Sequence, residues 1–163
     1  IDPYLDANVV SREQPGVERD FRRALTKYTL ELLSALDSEP RYPYTQVGGT
    51  GLPDGDAIIA EIKTRDWTKP WGAGSHAAGM ARELLYLVEE GHEEYIPHVE
   101  EAITFILAQQ NPETGMWGPS SIPLCEQVSG ALKVLGRFVF YFGMPVRYSE
   151  QLADSCIKHH ADG

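Results

Sequence analysis

The chain has 163 residues, 42% of them hydrophobic and 23% charged, the balance of an ordinary soluble globular domain long enough to bury a core. Its 24 acidic residues against 14 Lys and Arg give a formal charge of -10, which speaks against nucleic acid or an anionic membrane as partner, since both need a basic footprint. No run reaches the length of a membrane span, no basic-then-apolar leader opens the chain, and Cys125 and Cys156 are too few for a disulfide-stapled scaffold. A cytoplasmic location is slightly favoured, without fixing the compartment.

Residues 1–16, with Pro3, Pro15 and Gly16, read as an extended arm, followed by a helical domain over 17–163. Phe21, Leu25, Tyr28, Leu32 and Leu36 step by three and four and so share one face of an amphipathic helix. Residues 37–74 are broken by Pro40, Pro43, Gly48, Gly49, Gly51, Pro53, Gly55, Pro70, Gly72 and Gly74. They predict a long loop with one short element at 57–63. Loops of that length inside a domain are often functional, and Tyr42, Tyr44, Trp67 and Trp71 suit anchors; a linker is the other reading.

A second helix is expected to open at Ser75 as N-cap, with apolar residues around most of its circumference, and to stop at Gly91. A third starts near Tyr95 with Pro97 in its first turn and carries one stripe, Ile96, Val99, Ile103 and Ile106. The fourth, from Cys125 to Phe142, is apolar on most faces. The fifth, after Ser149, is short and mostly polar. The order is outer, inner, outer, inner, outer. Inner helices start at 75 and 125, about 50 residues apart, and outer ones at 95 and 149, about 54 apart, the signature of a two-helix repeat.

Between the third and fourth helices stand Phe105, Gln109, Gly115 and Trp117: an aromatic, three residues, Gln, five residues, Gly, one residue, Trp. Gln109 is placed to cap orphan helix carbonyls, Gly115 to allow a tight turn, and Trp117 to cover the helix ends. This pattern resembles the QW motif of the terpenoid cyclase and protein prenyltransferase superfamily, where it closes an outer helix and opens the next inner one. The resemblance covers about residues 70–163. It implies an all-α fold of α/α-toroid hairpin repeats, here a partial toroid of roughly two and a half hairpins. The ring would then be completed by the rest of a longer protein, of which this chain is a fragment, or by a second copy. The Asp-rich acid motif of the cyclases and the zinc set of the prenyltransferases are both absent. The hairpin with its Gly-x-Trp turn is similar also to carbohydrate-active (α/α) barrels such as glycan lyases and unsaturated-glycan hydrolases.

In such toroids the N-terminal ends of inner helices face the cavity, where their dipoles favour anions. That singles out His76 and Glu126 as a candidate acid/base pair across adjacent repeats, with Trp71, Asp66, Trp117 and Gln127 as candidate substrate contacts. Asp66 would orient His76, and Trp71 would wall a sugar or an isoprenoid. The plain alternatives stay open: a capped helix with a packed Trp and a solvated His, and a Glu126 that only complements the dipole. Lys133, inside the apolar fourth helix, must snorkel or pair. No metal site is expected. Glu89, Glu90, His92, Glu93 and Glu94 read as a solvated acidic connection; Asp54 to Asp56 as a turn; His159 and His160 diverge by about 100° on a helix. The glycines around Gly49 fit no nucleotide fingerprint, and no cofactor is indicated.

Three functions remain open. A prenyltransferase-like or cyclase-like domain predicts an aromatic-lined cavity with few charges. A glycan lyase or hydrolase-type domain predicts an open groove with Trp71 as a stacking platform. A non-catalytic repeat module would bind a partner through exposed inner faces. Whether the chain is an enzyme is not decided by its residues.

Overall fold

The computed structural model describes residues 29, 32, 33, 36–39, 41 and 52–162. The chain separates into two compact units, Ile1–Pro53 and Asp54–Gly163. The arm expected over 1–16, most of the helix expected from Val17 and the glycines around Gly49 lie outside the described residues. In the first unit Thr29, Leu32 and Leu33 are helical. That helix ends where the Leu36 N–H donates to the Leu32 and Leu33 carbonyls and Asp37 turns to φ 52°. Asp tolerates this left-handed stop better than a branched residue would.

The second unit is all-α among its described residues: α1 (Gly55–Lys63), α2 (Pro70–Glu89), α3 (Ile96–Ala108, behind a 3-10 turn Glu93–Tyr95), α4 (Leu124–Val134) and α5 (Ser149–Asp162). A π turn, Leu135–Val139, carries α4 onward. Asp54 caps α1, its Oδ1 accepting from the Asp56 and Ala57 N–H groups at 3.0 and 3.3 Å, so Asp54 to Asp56 is a helix start and not a free turn. α2 opens at Pro70, five residues before the expected Ser75. Proline costs nothing in a first turn, where no N–H is needed, and the Ala73 N–H already bonds the Lys69 carbonyl at 3.1 Å. Ser75 therefore caps nothing; its hydroxyl accepts from Arg137 Nη1 at 2.9 Å. At the other end Gly91, at φ 96°, stops α2 as expected. Its N–H bonds Val88 and that of His92 bonds Leu87, the paired closure of a left-handed C-terminal cap.

α2 and α4 run side by side and parallel. Their contacts climb both helices together: Pro70 on Gly130, Gly74 on Gly130 and Val134, Ser75 on Arg137, Tyr86 on Tyr141. The close approach needs glycine on both sides. A Cβ at Gly130 would lie 2.4 Å from Pro70 Cβ, and one at Gly74 would lie 2.9 Å from Val134 Cγ2. α3 folds back along α2 after its short connection, and α1 lies on α3, with His98 over Gly55 and Lys63 paired to Glu101. α2 thus packs against α1, α3 and α4. Ile62, Leu84, Leu87, Ile106, Met116, Trp117, Val134 and Phe138 are all fully buried. Each such side chain contributes about 1.5–3 kcal/mol of burial.

The connection from α3 to α4 is built as its residues suggest. Gln109 Nε2 donates back to the Phe105 carbonyl at 3.3 Å, Gly115 turns at φ 69°, and Trp117 is fully buried while its Nε1 donates to the Ile106 carbonyl at 2.9 Å. Gln110, which nothing in the sequence marked, is buried and bridges the Gly115 and Arg147 carbonyls at 2.8 and 2.7 Å. α5 locks on here, with Ser155 Oγ donating to the Thr114 carbonyl at 2.8 Å. α4 departs from expectation in two ways. It does not run unbroken to Phe142, since the Phe140 N–H reaches five residues back to Leu135. Nor is it covered all round: Leu132 and Phe140 are 63% and 65% exposed.

Candidate functional site: a groove at the paired helix starts

Because α2 and α4 are parallel, their N-terminal turns lie at the same end of the pair. A groove of about 350 Å³ opens there, lined by Lys69, Pro70, Trp71, Gly72, Glu126 and Ser129. Pro70 and Gly74 face α4, so Trp71, one step round from Pro70, cannot follow them inward and remains 51% exposed. Lys133 Nζ stands 3.8 Å from the centre of its ring. The lysine that had to snorkel or pair does so on the face of an aromatic, a contact worth about 0.5–1 kcal/mol at an exposed site. Across the groove, Glu126 occupies the first turn of α4, where a carboxylate suits the positive end of the dipole. Ser129 Oγ donates to the Cys125 carbonyl at 2.9 Å, keeping its oxygen available to accept.

Of the six candidate site residues, the groove unites Trp71 and Glu126. The other four lie elsewhere. His76 is five residues beyond Trp71, about 140° round the helix, and is not part of the lining. Asp66 is exposed and shapes the approach to α2: its Oδ1 accepts from the Thr68 N–H at 3.0 Å and from Thr68 Oγ1 at 2.6 Å. Those hydrogen bonds hold its carboxyl below the ordinary aspartate value, with Lys69 adding a smaller pull. Asp66 is thus occupied by its own turn. Gln127 is 3% exposed and donates to the Ile122 carbonyl at 2.8 Å, fastening the start of α4 from inside. Trp117 is core.

Sequence reasoning passed over Lys69 and Ser129, which are common surface types without distinguishing spacing. It also passed over Arg82 and Glu83, buried within α2. The Arg82 guanidinium stacks 3.7 Å from the centre of the Tyr141 ring and donates to the Tyr86 hydroxyl. Two charges in the midst of Met80, Ala81, Leu84 and Leu85 were the signal available. Desolvation pushes the Glu89 carboxyl at the end of the same helix above the ordinary glutamate value, with Arg82 pulling it partly back.

Cys125 and Cys156 are both exposed free thiols. Among the described residues no three His, Cys, Asp or Glu side chains converge into a metal-holding set, and no helix is long and apolar enough to cross a membrane. No protein-family model, curated protein or solved structure matches the chain.

Proposed function

We propose that the Asp54–Gly163 unit is a stack of α/α-toroid-type hairpins whose groove, at the N-terminal ends of the paired inner helices, binds an oligosaccharide. The observation that carries the ligand class is the half-exposed Trp71 ring beside Glu126 and Ser129 in an open groove. A sugar presents an apolar ring face and a rim of hydroxyls. An exposed indole offers the matching platform, and a carboxylate and a hydroxyl oxygen accept from the rim. An isoprenoid needs instead a deep cavity walled by several aromatics, as the prenyltransferase-like reading requires. The lining here holds one aromatic, two charged side chains and a hydroxyl. The volume, near the low end for ligand sites, suits one or two sugar rings.

The toroid reading draws its support from the parallel α2–α4 pair and from Gln109, Gly115 and Trp117 acting as the hairpin closure that the motif predicts. Binding is the proposed activity. With His76 outside the lining, the groove does not unite His76 with Glu126, and a reaction is not assigned.

The test is a tryptophan-fluorescence titration of the intact chain with neutral oligosaccharides, uronate oligosaccharides and an isoprenyl diphosphate with magnesium. A glycan should perturb the emission and lose that effect in Trp71→Ala, while His76→Ala binds normally. Saturation at about 100 times Kd would add roughly 2.7 kcal/mol to stability, an independent check by thermal shift. Binding of the isoprenyl diphosphate alone, unaffected by Trp71→Ala, would favour the cavity reading instead.

A further inference from the structure

The geometry points to Lys133 as the positioning residue of the groove: its ammonium fixes the Trp71 ring with one face open to the ligand, an inference that rests on the glycan reading above. Lys133 starts on the flank of α4 that packs on α2, since a Cβ added to Gly74 would lie 3.5 Å from the Lys133 Cβ. Gly74 stands one turn above Trp71, and helical side chains lean toward the N-terminal end of their helix. From that starting point the parallel α4 aims the lysine stem down the seam toward Trp71, and glycine at 74 leaves its path clear. The stem ends with Nζ 3.8 Å from the ring centre.

An indole has two faces, and the ammonium takes one of them. Trp71 lines the groove and Lys133 does not, so the covered face is the one turned away from the groove and the other is presented to it. No other cation or aromatic ring stacks on Trp71 among the described residues. A half-exposed side chain beside Gly72, with rotatable bonds of its own, needs such a restraint to keep one orientation. A platform oriented in advance loses less freedom on binding than one that must be ordered by its ligand. Covering one face also decides where a sugar stacks: on the groove side, where Glu126 and Ser129 accept from its hydroxyls. Lys133 thus touches no ligand and acts through Trp71. Loss of a cation–π contact of this kind at an exposed site weakens binding by about two- to five-fold.

The test compares the full chain as wild type, Lys133→Met and Lys133→Arg. Methionine keeps an unbranched stem without the charge, and arginine keeps a cation for the ring. Time-resolved anisotropy of the ligand-free chain should show more fast tryptophan motion in Lys133→Met than in wild type and the wild-type level in Lys133→Arg. The effect of Lys133→Met should vanish where Trp71 is already replaced by alanine. Titration with neutral gluco-, manno- and xylo-oligosaccharides should give a Kd about two- to five-fold higher in Lys133→Met, restored in Lys133→Arg. Unchanged anisotropy, or a Kd in Lys133→Met equal to or below that of wild type, would overturn the inference and leave the glycan reading standing. A wild type that binds none of these sugars would overturn the glycan reading, and the ligand role of Lys133 with it, whatever the anisotropy shows.

Discussion

Trp117 and Trp71 stand near the starts of the two halves of the parallel pair, and they do opposite things. Trp117 is fully buried, hydrogen-bonded to Ile106, and held by a turn in which each neighbour has a fixed task. Trp71 lies half in water, held on one face by a lysine. The difference comes from what precedes each residue. Gly115 and Gln110 turn the chain inward and tie it to two carbonyls, whereas Pro70 starts a helix whose inward positions are taken by residues small enough for α4 to touch. A tryptophan used for folding is surrounded by satisfied partners; one available for binding has open space and polar neighbours.

Substitutions can break this contrast, and the largest effect belongs to the buried side. Trp117→Ala should cost about 3–5 kcal/mol, read as a lowered midpoint in chemical unfolding, since it empties the largest core position and removes the bond to Ile106. Gly115→Ala comes next. It places a Cβ 2.3 Å from the Leu152 backbone nitrogen at a residue with φ 69°, and α5 must move; about 2 kcal/mol or more is expected, together with faster amide exchange across α5. Trp71→Ala should lose less than about 1 kcal/mol, the worth of its contact with Lys133, yet abolish glycan binding. Equal destabilisation by Trp71→Ala and Trp117→Ala would erase the distinction. The smallest effect is at Asp66. Its carboxyl is held below the ordinary aspartate value, so its contribution to stability is present above that value and is lost as pH falls through the lowered one. Thermal midpoints of the wild type and Asp66→Asn should therefore differ slightly at neutral pH and converge on strong acidification; a gap that widens in acid would contradict the Thr68 hydrogen bonds as its source.

Much of the helical order was legible because its signals are local. The apolar spacing announces α2, α3 and α4, Gly91 marks a stop, and Gln109, Gly115 and Trp117 perform the tasks their chemistry suits. The start of α2 was not legible. Pro70, Gly72 and Gly74 look like loop punctuation, and only the approach of Gly130 and Val134 explains glycine inside a helix there. The π turn has no residue signature, so the exposure of Phe140 could not be foreseen from a run of apolar residues. The site was legible in part for the same reason. The groove opens at the N-terminal ends of α2 and α4, the ends singled out from the sequence, and its lining includes Trp71 and Glu126. His76 was placed at the helix mouth by taking Ser75 as the N-cap; because α2 opens at Pro70, His76 lies beyond the first turn and outside the groove lining.

Hydrogen–deuterium exchange of the intact chain with and without a saturating oligosaccharide tests the groove most directly. Slowed exchange is expected at the first turns of α2 and α4, around residues 69–72 and 126–129, with the connection from Gln109 to Gly118 unchanged. Protection confined to that connection or to α3, with the two helix starts unaffected, would contradict it.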